Sequence, residues 1–298
     1  LILLFLYLLR KSRRLGLFLF AGLFALFLFA RMSFPGTDWV VGQCDVGQGD
    51  ALLLNLGKSR AILFDAGPSP RLLERCLKIF KVKELSLVVI SHHHADHFQG
   101  LLSSSKRYIG QIWTNSADSQ IASRSQSIHS VVQGDRFEID GTTIEILWPK
   151  ANAKNFQSIA GDGSLENNRS IVALVKRDDF SLLVTGDIEP EAQAEMMRES
   201  RLSELSILKV PHHGSKYQDQ GFLESLHSKI ALISVGAENS YGHPSQTTID
   251  LLRTSGSQVF RTDREGAIAL SAKKSESRGE YVFSARVQGK EWWRIRWL

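Results

Sequence analysis

Ser91-His92-His93-His94-Ala95-Asp96-His97 closes the apolar run Leu87–Ile90, and the reading of this stretch decides the fold. His92, His94 and Asp96 fall on alternate positions, and Asp96 and His97 are adjacent. A β-run closing into a turn delivers such side chains to one mouth of a sheet edge. Imidazole nitrogens and a carboxylate oxygen suit borderline divalent ions, zinc first, with manganese or iron tolerated. These ligands exceed what one tetrahedral ion takes from a single loop, so the stretch points to two ions side by side. A His-rich surface tract is the competing reading. The rest of the histidines argue against it: most of the 9 His lie here, in Pro211-His212-His213-Gly214-Ser215 and in Tyr241-Gly242-His243-Pro244. Each of these sites follows an apolar strand-like run.

Outward from this loop, the pattern predicts strands over Trp39–Cys44, Ala51–Leu56, Arg60–Phe64 and Ile109–Thr114, with an amphipathic helix over Arg71–Phe80. Asp45-Val46-Gly47-Gln48-Gly49-Asp50 reads as a tight turn, since glycines beside acids supply positive φ. It is not a phosphate loop, because no Lys-Ser/Thr pair opens a helix after it. Asp65 ends a strand, where it either orients a ligand imidazole or caps the following helix. A short helix is expected over Phe98–Ser105, another helix over Ser119–His129, and a β-meander over Ser130–Pro149. His129 reads as a surface or core residue, and Ala151–Leu165 as a loop.

Further on, strands Ile171–Lys176 and Ser181–Thr185 lead to Gly186-Asp187, a second carboxylate at a strand tip. Helices over Glu189–Arg198, Gly221–His227 and Gln246–Ser255 then alternate with strands Ser206–Val210, Ile230–Val235 and Gln258–Arg261. Strands Gly266–Ser271, Tyr281–Val287 and Trp292–Trp297 close the chain. A β-rich run followed by strand–helix alternation thus occurs twice, which implies two related halves in a layered α/β fold.

The chain has 298 residues, 43 % hydrophobic and 22 % charged. Leu1–Leu9 is apolar, Arg10–Arg14 basic, and Leu15–Ala30 apolar without a charge, slightly short of the ~20 residues that span a bilayer. The expectation is that residues 1–31 end a membrane body, 32–37 form a linker and 38–298 form the hydrolase domain. A signal peptide competes, but the apolar residues ahead of the basic stretch, and Leu at position 1, read as the continuation of something longer. The positive-inside tendency puts Arg10, Lys11, Arg13 and Arg14 in the cytoplasm and the rest outside the inner membrane. The net charge of +5 equals the five basic residues of this flank. The remainder is formally neutral, which excludes a globally basic DNA-binding domain. Cys44 and Cys76 give no framework; a pairing in an oxidising compartment is open to them, but their apolar contexts favour buried free thiols.

His92-His93-His94-Ala95-Asp96-His97 resembles the HxHxDH signature of the metallo-β-lactamase superfamily, with Asp65, Asp187 and His212-His213 in the order that superfamily uses. More narrowly, Asp45–Ala51, Leu63–Gly67, Thr185–Ile188, Lys209–Ser215 and Tyr241–Pro244 are similar to the C-terminal domain of the ComEC family of DNA-uptake channels. The resemblance implies a four-layer αββα sandwich, preceded by one or two transmembrane helix segments. It implies His92 and His94 on one ion, Asp96 and His97 on the other, and Asp187 bridging them. One of His212 and His213 would complete the ligands of the second ion; the place of His213 before Gly214 favours it. Asp65, Asp45 and Asp50 would support these ligands from behind. Arg169, Ser215, Tyr241 and His243 would hold the phosphate or protonate the leaving oxygen, with Asp96, Asp187 and His243 in catalytic roles. The superfamily's further His is replaced here by Glu166-Asn167-Asn168-Arg169-Ser170, whose oxygens are weaker ligands.

Two zinc or manganese ions in such a cage clamp both oxygens of an in-line displacement at phosphorus. The expected function is a nuclease on the outer face of the inner membrane, cutting the strand that is not imported. Its expected partners are DNA, the membrane, the upstream membrane domain and other competence proteins. A zinc hydrolase of a small ester, thioester or lactam, and a non-catalytic DNA-guiding domain, are the alternatives. Lys290, Trp292, Trp293, Arg294, Arg296 and Trp297 suit base stacking on single strands. They equally suit an amphipathic edge strand or a membrane-interface belt.

Overall fold

A computed structural model describes residues 13–32, 34–102, 107–115, 121, 123–125, 127–151, 165–178, 180–200, 202, 204–274, 281–289 and 296–297. Most of the expected loop Ala151–Leu165, residues 1–12 and the segment Lys290–Arg294 lie outside them. Among the described residues no helix is long and apolar enough to cross a membrane. The helix Arg13–Met32 covers the second apolar run, and its side chains Leu17, Phe18, Phe20, Leu23 and Phe24 are exposed.

In chain order the first half supplies β1 (Trp39–Gln43), β2 (Leu52–Gly57), β3 (Arg60–Phe64), β4 (Glu84–Ile90), β5 (Tyr108–Thr114) and β6 (Ile128–Ser130). The second supplies β7 (Arg136–Ile139), β8 (Thr142–Trp148), β9 (Val172–Arg177), β10 (Phe180–Val184), β11 (Ile207–Lys209), β12 (Ile230–Ile233) and β13 (Gln258–Arg261). Strands β14 (Ile268–Lys274), β15 (Tyr281–Val287) and β16 (Arg296–Trp297) return to the first sheet. The sheet orders are β16-β15-β14-β1-β2-β3-β4-β5-β6 and β13-β12-β11-β10-β9-β8-β7. Each half runs antiparallel and then switches to parallel pairing, at β3–β4 and at β10–β11. The duplicated strand–helix pattern is therefore real in the topology.

Both faces of each sheet are covered, so strand after strand carries apolar residues in both phases of the period-2 alternation. Ile62, Phe64, Leu87 and Val89 point inward to Ile146, Val175, Leu182 and Leu232 of the other sheet. Their neighbours Leu63, Val88 and Ile90 pack outward with Leu73, Leu77 and Phe80, in and just after the helix Pro70–Ile79. On the far side Leu183, Leu208 and Ile233 pack with Ala192 and Met196 of Pro190–Glu199, Phe222 of Gln220–Ser225 and Ile249 of Gln246–Thr254. The result is helix, sheet, sheet, helix.

Three local expectations change. Cys44 and Cys76 form a disulfide, with Cα atoms 5.7 Å apart, because the outer apolar layer brings the end of β1 against the helix Pro70–Ile79. The C-terminal end of the helix expected over Ser119–His129 is instead β6, paired in parallel with β5 through Trp113 and His129. In place of the helix expected over Phe98–Ser105, a short helix Ala95–Phe98 contains His97 and is followed by a 3-10 turn Gln99–Leu101.

Candidate metal centre

Loops at the C-terminal ends of parallel strands from both sheets meet at one mouth. Here β3 delivers Asp65, β4 delivers His92–His97, β10 delivers Asp187, and β11 delivers His212 and His213. This is the end of an α/β sheet at which ligands are bound, beside the switch in strand order. The cleft there is about 590 Å³, and Gln48, His94, Asp96, Asn167, His212 and His243 are among its walls.

Asp187 Oδ2 is the focus. It lies 3.2 Å from His97 Nε2, 3.4 Å from His213 Nε2 and 4.0 Å from His212 Nε2. Asp96 Oδ2 is 3.3 Å from His213 Nε2 and 3.9 Å from His97 Nε2. His92, fully buried, completes a cluster with His97 and Asp187. His94 stands edge-on to His92, ring centroids 4.6 Å apart, on the cleft wall.

Each inward imidazole is fixed from behind. His97 Nδ1 lies 2.9 Å from Asp65 Oδ2, and Asp65 also accepts from Ser91 N and Ser91 Oγ at 2.7 and 2.8 Å. Asp65 holds a left-handed backbone, φ 56°, and orients His97; the N-cap position of the following helix is Ser69, whose side chain makes no capping bond. His213 Nδ1 lies 2.9 Å from the Ser234 carbonyl and 3.2 Å from Asp50 Oδ1. His92 Nδ1 reaches the hydroxyls of Ser91 and Ser170, at 3.1 and 3.2 Å. Ser170 Oγ in turn accepts from Asp187 N. Gly186 lets these parts approach: a Cβ there would sit 2.7 Å from both Ser170 Cβ and Ser91 Cβ. A carboxylate, hydroxyl or carbonyl behind each ring fixes its tautomer and aims Nε2 at the centre.

The charges follow. Burial raises the Asp96 carboxyl, but the His213 and His97 imidazoles reverse this and hold it at about 2. Asp187 is likewise held well below the ordinary range by His213, His97 and His212, against its burial. Burial lowers His213, yet Asp187 and Asp50 carry it up to about 10. His97 rises well above its ordinary value through Asp187 and Asp65, against the same opposition from burial. Burial, with His97 adding to it, keeps His92 neutral.

Fitness for metal is visible in the inward atoms. His92 Nε2, His97 Nε2, His213 Nε2 and Asp187 Oδ1 are all buried without an aligned hydrogen-bond partner. A buried polar atom left without a well-aligned hydrogen bond costs up to about 1–3 kcal/mol. Four of them converging from distant strands is what a cation cage requires. His92, His97, His213, Asp96 and Asp187 are the residues placed to hold ions, with His94 and His212 on the rim.

Other expected residues sit elsewhere. Asp45 is exposed and outside the cluster. Ser215 is fully buried; its Oγ accepts from Tyr217 N and its carbonyl from Thr248 Oγ1, so it shapes a turn rather than facing the cleft. Arg169 lies 3.9 Å from the Glu166 carboxylate and does not line the cleft. Tyr241 and His243 do line it, their rings stacked 5.9 Å apart, with His243 5.4 Å from His212. Where the superfamily carries its further His, Asn167 lines the cleft and donates to Glu189 Oε1 at 2.9 Å. Asn168 instead accepts from Glu189 N and ties down the loop.

Lys209 is the buried residue that sequence reasoning gave no role. Its Nζ contacts Asp50 Oδ2 and donates to the Val210 carbonyl at 3.0 Å. It anchors the carboxylate that stands behind His213. The only signal was a lysine inside an otherwise apolar strand.

Residues 44–236 match the model of the metallo-beta-lactamase superfamily, more than half of the chain. The chain belongs to the metallo-β-lactamase superfamily. It is 26 % identical over 282 residues to ComE operon protein 3 of Bacillus subtilis, covering 84 % of this chain and 35 % of that protein. It is 30 % identical over 239 residues to competence protein ComA of Neisseria gonorrhoeae, covering 78 % and 32 %. The chain thus spans about a third of these relatives. Among solved structures, CmlA, a diiron β-hydroxylase from Streptomyces venezuelae, superposes with a TM-score of 0.50 at 13 % identity, over 76 % of this chain and 53 % of that one. At that identity the likeness carries the superfamily fold alone.

Proposed function

We propose that this superfamily hydrolase domain is a metal-dependent phosphodiesterase of a DNA-uptake channel, cutting the strand that is not imported. The observation that carries the reading is the set of inward-facing His Nε2 atoms around Asp187 Oδ2 at the floor of an open cleft. The name of one relative, competence protein ComA, supports DNA as the substrate.

The role of each residue follows from its place. Asp96 and Asp187 stay ionised throughout the neutral range and supply negative charge for cations. His92, His97 and His213 supply nitrogen, held in register by Ser91 and Ser170, Asp65, and Asp50. When bound, a pair of zinc or manganese ions acidifies water and offsets charge on the phosphate oxygens. Tyr241 and His243 form the rim that meets the nucleic acid, with the His243 ring 5.4 Å from that of His212.

The disulfide Cys44–Cys76 supports an oxidising compartment. The exposed apolar side chains Leu17–Phe24 support a membrane environment for the helix Arg13–Met32. The domain then lies on the periplasmic or extracellular side of the inner membrane, beside its own upstream membrane domain and other competence proteins. Asn167 in place of an imidazole favours a second reading, a DNA-guiding domain whose first metal site fills poorly.

Incubating the chain with linear DNA and manganese or zinc separates the two. Cleavage that disappears in Asp96→Ala and Asp187→Ala is expected. Intact DNA at every metal concentration would favour the guide; activity surviving both substitutions would place the chemistry elsewhere.

A further inference from the structure

The metal centre crowns the C-terminal ends of β3 and β4. At the other end of the same strands lies a second cavity, about 250 Å³, with a different chemistry. Strand β3 runs from one to the other: Arg60 lines this lower cavity and Asp65 supports the metal centre. Five residues of extended chain separate them by about 16 Å.

Three cations, Lys58, Arg60 and Lys81, line the lower cavity beside Trp39 and Phe80. Arg60 is paired with Asp140 at 2.8 Å. Among the described residues Lys58 and Lys81 have no carboxylate partner. Lys83 adds a further exposed cation at the rim, where its backbone N donates to the Ser59 carbonyl. Along the same lower edge the register aligns Arg60 with Glu84 and Glu84 with Tyr108, whose ring is 67 % exposed. On the other flank, Val282, also exposed, pairs with Lys273, itself 3.8 Å from Asp38. Cations interleaved with an exposed tyrosine and valine form the composition of a surface that sits at lipid headgroups, with charge toward phosphate and rings at the interface.

The point of chain entry singles out this end. Gly36 and Thr37 line the cavity, and they follow the helix Arg13–Met32 almost directly. Phe34 packs edge-on against Phe80, ring centroids 5.6 Å apart, so the linker is fastened to the cavity wall. We propose that the Lys58–Arg60–Lys81 cavity is an anionic phospholipid headgroup site, through which the base of the domain seats on the membrane. The metal centre, at the opposite end of β3, then opens away from the bilayer. This rests on the reading that the helix Arg13–Met32 lies in that membrane.

The test is hydrogen–deuterium exchange of the full chain in nanodiscs of phosphatidylcholine alone or with one-third phosphatidylglycerol. Expected is at least a fivefold slowing of exchange at residues 57–60 and 80–83 in the anionic discs only. The slowing should vanish in the double variant Lys58→Glu, Lys81→Glu, while exchange at residues 61–64 and 85–90 stays unchanged and reports an intact fold. Equal protection in neutral discs would overturn the phosphate chemistry. Protection of the same residues by a DNA duplex in neutral discs would overturn the lipid and assign the site to DNA. A chain associated with both discs and protected in neither overturns the seat alone. A chain that associates with neither disc overturns the membrane reading beneath it, and DNA cleavage in detergent judges the hydrolase reading separately.

Discussion

Raising the pH from 7 to 9 should tighten metal binding steeply, and the site geometry sets the slope. A metal ion needs bare imidazole nitrogen, whereas the metal-free site holds protons on its histidines. His213 is carried up to about 10 by Asp187 and Asp50 against the effect of burial. At pH 7 it therefore holds its proton by about 3 pH units, which costs an incoming ion about 4 kcal/mol, or about a thousandfold in apparent affinity. His97, raised well above its ordinary value, adds a second proton to be displaced. Asp96, at about 2, and Asp187 are already ionised and contribute no slope. Between one and two protons should thus leave per site, and apparent affinity should rise about 10- to 100-fold per pH unit. Isothermal titration calorimetry of manganese in buffers of different ionisation enthalpy counts those protons. An affinity that changes less than about threefold between pH 7 and 8, with no proton released, would refute the reasoning.

Asp65→Ala removes the acceptor behind His97 Nδ1, and metal affinity measured by dialysis should fall about 10- to 100-fold. The exposed Asp45→Ala should leave it unchanged. Lys209→Met takes one of two cationic partners from the buried Asp50 carboxylate and leaves His213, so urea denaturation of the metal-free chain should show a loss of up to about 3 kcal/mol. Opening the Cys44–Cys76 link, which spans 32 positions, removes about 3–4 kcal/mol in the loop-closure account. Reductant, or the double substitution to Ser, should lower the thermal midpoint by about 10 °C.

What the sequence disclosed was whatever short range encodes. Apolar runs ending in His92–His97, Asp187 or His212-His213 mark strands and their tips, because a strand buried on both faces has no polar positions until it leaves the sheet. The duplication was equally legible, as strand and helix periods recur in the same order. Contacts between distant segments were not. Nothing around Lys209 indicates that Asp50, from the other sheet, would meet it. Cys44 and Cys76 look like buried thiols until the outer helix lies against β1. Ser215 looked like a phosphate contact by its place after His213-Gly214, but the left-handed backbone of His212 and His213 turns it inward. The residues before β6 suggested a helix, and pairing with β5 drew their end into the sheet edge instead.

The central claim is that residues from three separate strand ends grip cations together. Counting bound manganese by equilibrium dialysis and elemental analysis, in the wild-type chain and in Asp187→Ala, addresses it most directly. Two ions per wild-type chain, with both weakened by this single change, is the expected result. A wild-type chain that binds none, or a variant that binds as well as its parent, would contradict it.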